Sequence, residues 1–184
     1  MKKLIALFAI LAMSASVAFA GTVEIKGSTT VLPLMQKVVD HFQKAHPEIA
    51  ISLSGGGSSN GAKALIDGTC DIAMMSRDMK DKEVKAAAEN GREAVQHVVA
   101  FDCIVPVVNP ANGVANITRD QLKKIYTGEI TNWKDLGGSD VEIVVISRDT
   151  SSGTYDCWKD KIMEHGGEKA KVFAGASLQA SNGA

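Results

Sequence analysis

Ile51-Ser52-Leu53-Ser54-Gly55-Gly56-Gly57-Ser58-Ser59-Asn60-Gly61 is the stretch on which the fold turns. Ile49, Ile51 and Leu53 alternate with smaller residues, which marks a strand. A run of glycines and hydroxyls follows, and then a short helix that ends before Gly68. Strand, Gly/Ser loop and helix in direct succession form the repeating unit of an α/β fold.

The same unit precedes this one. Val23 and Ile25 open a strand, Gly27-Ser28-Thr29-Thr30 forms the loop, and Pro33 stands at the start of a helix. Leu34, Val38 and Phe42 recur every four residues up to Pro47 and predict one buried face on that helix. Downstream, residues 71–75 read as a third strand running into Ser76-Arg77-Asp78. Residues 81–90 read as an exposed helix closed by Gly91. Residues 95–101 and 103–108 are apolar, β-branched stretches, the first a strand holding His97 and the second broken by Pro106. Asn109-Pro110-Ala111-Asn112-Gly113 is a turn cluster that places a crossing between two lobes nearby. Thr118 and Gln121 make a capping box for a helix carrying Leu122 and Ile125. Residues 141–146 read as a buried strand that delivers the chain to a third hydroxyl-rich loop, residues 147–154. A helix with Trp158 and Ile162 follows and ends at Gly166-Gly167.

The N-terminus sets the compartment. Lys2 and Lys3 precede an apolar run from Leu4 to Met13, and Ala18-Phe19-Ala20 offers small residues for cleavage after Ala20. That run is shorter than the roughly 20 residues a membrane-spanning helix needs, so a cleavable secretory signal over residues 1–20 is expected. No cysteine follows that would carry a lipid. Without residues 1–20 the chain has 18 basic and 21 acidic residues, a net charge of −3. Its lysines are scattered among acids, which gives no footprint for nucleic acid. Three cysteines, Cys70, Cys103 and Cys157, have no metal-site spacing. One disulfide, with Cys103–Cys157 the favoured pair, and three buried thiols are both open.

The chemistry lies in the three loops. Each stands between a strand and a helix start, where unpaired N–H groups and the positive end of the helix dipole favour an anion. Glycine allows close backbone approach and hydroxyls supply rotatable donors. Arg148 adds a planar, permanently charged fork. Known nucleotide motifs do not account for the second loop. Gly56 and Gly61 have Walker A spacing, but Lys63 comes one residue late, and Asn60 stands where the last glycine of a dinucleotide fingerprint belongs. Gly57-Ser58-Ser59-Asn60-Gly61 does match the G-x-S-x-G elbow of hydrolases, which keeps a serine hydrolase built on Ser59 in view, with His97 or His165 as its base.

Four stretches together resemble the phosphate-binding proteins of the type II periplasmic binding fold. They are Gly27-Ser28-Thr29-Thr30-Val31-Leu32-Pro33-Leu34, Gly57-Ser58-Ser59-Asn60-Gly61, Ile125-Tyr126-Thr127-Gly128-Glu129-Ile130-Thr131-Asn132-Trp133, and residues 148–154. The resemblance implies two α/β lobes, residues 21–105 and 106–184, each with a central sheet and the second incomplete. It implies a periplasmic monomer that needs no cofactor, captures inorganic phosphate in the interlobe cleft and delivers it to the membrane permease of an ABC transporter. It places Thr30, Val31, Leu32, Ser58, Ser76, Arg148, Ser152, Gly153 and Thr154 at the phosphate, and Trp133 in lobe packing. Some members carry an aspartate where this chain has Ser76, which accepts the proton of hydrogen phosphate; here Asp78 or Asp149 is the candidate substitute. Tungstate, molybdate and sulfate are the alternative ligands. Relatives continue beyond Ser181-Asn182-Gly183-Ala184, so uncovered apolar faces, marginal stability and weakened closure are expected.

Overall fold

The computed structural model describes residues 21–167 and 169–179. The expected signal segment and the final Ser181-Asn182-Gly183-Ala184 lie outside them. The architecture is α/β in two lobes. In the first, β1 (Val23–Gly27), α1 (Leu32–Ala45), β2 (Ile51–Ser54), α2 (Ser58–Ile66), β3 (Ile72–Met74) and α3 (Asp81–Glu89) follow one another. Their sheet has the order β2-β1-β3 and is parallel throughout, with Ile25 opposite Leu53 on one side and Ile72 on the other. In the second, α4 (Arg119–Thr127) precedes a 3₁₀ turn (Trp133–Leu136). Then come β4 (Ile146–Arg148), α5 (Gly153–Trp158), which widens into a π-helical turn (Lys159–Met163), and β5 (Ser177–Gln179), parallel to β4.

Parallel strands carry all their following loops to one end. The loops after β1, β2 and β3 therefore emerge side by side at the carboxyl edge of the first sheet, the edge where open α/β sheets hold ligands. Ile25, Val39 and Met74 form the core beneath them. Two further cores, Ile125 with Ile143 and Val145, and Trp158 with Ile162 and Met163, hold the second lobe. Trp133 packs against the first of these, as its expected structural role requires. The Thr118 hydroxyl accepts the Gln121 amide at 3.2 Å and the Gln121 side chain accepts the Thr118 amide at 2.8 Å, which is the capping box read from sequence.

Three expectations are corrected. On α1 the residues that face the sheet are Leu32, Met35 and Val39, whereas Leu34, Val38 and Phe42 are exposed. The helix carries two apolar rows at i, i+4 spacing, and packing on β1 and β2 selects the one that periodicity did not single out. Residues 95–108 form no strand, and Val95, Val99, Phe101 and Val107 are exposed. β-Branched residues favour a pleated, half-buried surface, and no strand among the described residues pairs with this segment. The expected strand over residues 141–146 also shortens. Only Ile146 lies in a strand, although Ile143 and Val145 are buried and Val141 and Val144 exposed in the alternation of an extended segment.

Candidate anion site

The three hydroxyl-rich loops converge, two from the first lobe and one from the second. Ser28 is buried after β1, and its Oγ accepts the amides of Thr30 and Val31 at 3.2 and 3.3 Å. Its carbonyl accepts the Leu32 amide at 3.0 Å. The Val31 amide thus makes a long, weak contact, and that of Leu32, the first residue of α1, is held by the loop that precedes the helix. After β2, Gly57 adopts a positive φ of 99° and turns the chain so that Ser58 becomes the first residue of α2. Any Cβ at position 57 would strike the Ser151 carbonyl, so glycine is what allows the loops of the two lobes to touch.

Ser58 is fully buried, and its Oγ lies 3.2 Å from the Ser76 Oγ and accepts the Ser76 amide at 3.1 Å. Gly153, at the start of α5, rests on this pair: a Cβ there would overlap both hydroxyl oxygens. Ser152 caps α5 by accepting the Tyr155 amide at 3.3 Å, and Thr154 shares a cavity wall with Ser76. The cavity, about 430 Å³, runs between residues 102–106 and α5. Arg148, at the end of β4, donates from Nη2 to the Thr29 Oγ1 at 3.0 Å across the cleft. Thr30, Val31, Leu32 and Ser58 are thus presented by one sheet edge, Ser76 beside them, and Arg148, Ser152, Gly153 and Thr154 by the opposing lobe. The cleft is closed.

Asp78 is exposed and accepts a hydrogen bond from Gln96 at 2.8 Å. Asp149 has one oxygen on the Ser151 amide at 2.8 Å and on the Ser151 hydroxyl, while its Oδ2 is buried with no hydrogen-bond partner among the described residues. Ser59 has Asp156 and Arg77 as its partners, each at 3.1 Å, and no histidine. The three cysteines are thiols. Cys70 is buried, while Cys103 is exposed and, with Cys157, lines the cavity beside α5.

Sequence reading missed an ionic network at the cleft. Arg77 spends all five of its N–H donors. Nε reaches the Asp156 Oδ2 at 2.7 Å, Nη1 the Asp78 carbonyl at 2.9 Å and Glu83 at 2.8 Å, and Nη2 Ser59 at 3.1 Å and Glu83 at 2.9 Å. Lys80 Nζ binds the other Asp156 oxygen at 2.7 Å. The Arg77 and Asp156 side chains are only 8% and 9% exposed. Arg77 therefore has no donor left for an anion, although it adjoins Ser76. The 79 residues separating Arg77 from Asp156 hid the pair.

Burial alone would raise the pKa values of Asp156 and Glu83. For Glu83 the Arg77 and Lys80 hydrogen bonds and charges outweigh it, and for Asp156 the Lys80 bond and the Arg77 charge do so, with a smaller part from Ser59. Both carboxyls therefore ionise below their ordinary range. Arg77 is correspondingly held cationic, burial notwithstanding, by Glu83 and Asp156. A carboxyl whose folded pKa is depressed stabilises the fold above its unfolded value and loses that contribution as pH falls through the folded one. Urea unfolding midpoints of the closed protein, in which Asp156 has these partners, are expected to fall steeply below about pH 4. Asp156→Asn should flatten that fall, and an equally steep fall in the variant would mean that other carboxyls govern it.

A family model for a PBP superfamily domain matches residues 14–184. The phosphate-binding protein PstS of Borreliella burgdorferi is 36% identical over 141 residues, 77% of this chain and 48% of that protein. PstS of Bacillus subtilis is 36% identical over 135 residues, 73% of this chain and 44% of that protein. The chain thus spans about half the length of the curated relatives it matches. Among solved structures, a phosphate ABC transporter substrate-binding protein from Clostridium perfringens with bound phosphate superposes with a TM-score of 0.75 at 36% identity, covering 89% of this chain and 63% of that one. An ABC-type phosphate transport receptor from Vibrio cholerae gives 0.68 at 36% identity, covering 88% and 64%.

Proposed function

This chain belongs to the PBP superfamily, and from that premise we propose that it is a periplasmic receptor that captures inorganic phosphate between its lobes and delivers it to the permease of an ABC transporter. The observation that carries this reading is the meeting of hydroxyls and amides from both lobes around Ser58, Ser76 and Gly153, with the Arg148 guanidinium at the rim. The set is rich in neutral donors with one strong cation, which suits a small tetrahedral oxyanion that exchanges its water shell for protein donors. We assign Thr30, Val31, Leu32, Ser58, Ser76, Arg148, Ser152, Gly153 and Thr154 to the ligand, and divide the lobes at residues 105 and 106. The protein acts as a monomer, without nucleic acid and without chemistry: Ser59 donates to Asp156 and accepts from Arg77 within an ion-paired network, with no histidine beside it among the described residues as a hydrolase triad requires.

A buried carboxylate oxygen without a donor is costly, and a ligand that brings its own proton relieves it. Asp149 Oδ2 fits that role and favours hydrogen phosphate over sulfate, which carries no proton to give. Asp149→Asn is expected to narrow the phosphate-over-sulfate preference by roughly tenfold or more in competition binding; an unchanged ratio removes Asp149 from selection. The assignment as a whole is tested by a crystal structure grown with phosphate. It is expected to place the ion within hydrogen-bond distance of Ser58, Arg148 and the Gly153 and Thr154 amides, and an ion bound elsewhere overturns it.

A further inference from the structure

We propose that Asp156 is a closure latch, a second-lobe carboxylate that grips Arg77, Lys80 and Ser59 of the first lobe when the cleft shuts and so sets how long the ligand is held. The inference rests on the two-lobe receptor reading above. All three partners lie across the cleft, and both carboxylate oxygens are used: Oδ1 by Lys80, Oδ2 by Arg77 and Ser59.

Each latch residue is tied to a residue of the anion cradle. Ser59 follows Ser58, Arg77 follows Ser76, and Asp156 stands on α5 one turn beyond Gly153. The two contact sets are therefore rigidly coupled, and neither forms without the other. Their charge arrangement is asymmetric. Arg77 keeps its two-pronged pair with Glu83 whether or not the lobes meet, since both belong to the first lobe. Asp156 has its three partners only in the closed form. Opening therefore returns Asp156 to water and leaves Arg77 neutralised, so the first-lobe face carries no bare guanidinium that would hold an anion in the open state. Lys80 retains less shielding, with its side chain 35% exposed, and forms the outer arm of the latch.

Closure has a ligand-independent reporter, because the Ser59 amide donates to the Ser151 carbonyl across the cleft at 3.0 Å. The Val23 amide, on Ala50, and the Asp71 amide, on Glu24, report the first lobe alone. Hydrogen exchange followed by NMR is expected to show Ser59 protection falling roughly tenfold or more in Asp156→Asn. Lys80→Met should lower it by a smaller factor and Asp156→Glu restore part of it, with Val23 and Asp71 unchanged. Phosphate dissociation should quicken in the same order. Unchanged Ser59 protection, or a parallel loss at all three amides, overturns the latch. If Asp156→Asn fails to fold, Lys80→Met, which leaves the buried pair intact, decides the matter by the same readings. A protein that takes up no phosphate but still loses Ser59 protection in the variants retains the latch and refutes the receptor reading.

Discussion

Replacing Arg148 with alanine is expected to weaken phosphate binding by about 2–4 kcal/mol, or roughly 30- to 1,000-fold. Arg148 is the cation that the third loop brings to the rim of the cleft, where its guanidinium already spans the lobes to the Thr29 hydroxyl. Arg77, the other guanidinium in the neighbourhood, has every donor committed and cannot substitute. The loss should show mainly as faster dissociation, since a charge that contacts the held ligand acts on the off-rate. Arg148→Lys should recover only part of it, because an ammonium keeps the charge but loses the fork. Equilibrium dialysis with labelled phosphate measures both variants, and an alanine variant with native affinity would remove Arg148 from the site.

The second large effect comes from adding a single methyl group. Gly153→Ala is expected to reduce phosphate affinity by roughly 100-fold, because its Cβ occupies the space of the Ser58 and Ser76 hydroxyls and keeps the lobes apart. The same substitution should leave the ligand-free protein as stable as before, or stabilise it by up to about 1 kcal/mol, because alanine is a better helix former than glycine. Opposite signs for stability and affinity separate a blocked closure from a damaged fold. Gly153→Val should deepen the affinity loss. Thermal unfolding of the ligand-free variants alongside their binding isotherms gives the comparison, and native affinity in Gly153→Ala would mean that the closed contact of Gly153 on Ser58 is not the binding state.

Sequence revealed the local units better than their partners. Alternation at Ile49, Ile51 and Leu53, glycine before Ser58, and the Thr118–Gln121 box are signals within a few residues of one another, and each fixes backbone geometry where it stands. The convergence of the two first-lobe loops also follows, since successive parallel strands must emit their loops at one edge, whereas the third loop comes from another sheet and meets them only through lobe packing. Contacts between distant residues were harder to see. Nothing near Asp156 marks it as the partner of Arg77, and neither the Thr29–Arg148 contact nor the packing of Gly153 on Ser58 has a local signature. On α1 two apolar rows competed, and only the position of the sheet decides between Met35–Val39 and Leu34–Val38–Phe42. In residues 95–108, composition spoke for a strand, whereas a strand is a relation between two segments.

On the receptor reading, the closed cleft holds one phosphate. Calorimetric titration of the phosphate-stripped protein tests it most directly, with sulfate as the comparison. A saturable heat for phosphate at one ion per chain and much weaker binding of sulfate are expected; no saturable heat with phosphate, or equal affinity for the two ions, would overturn the receptor reading.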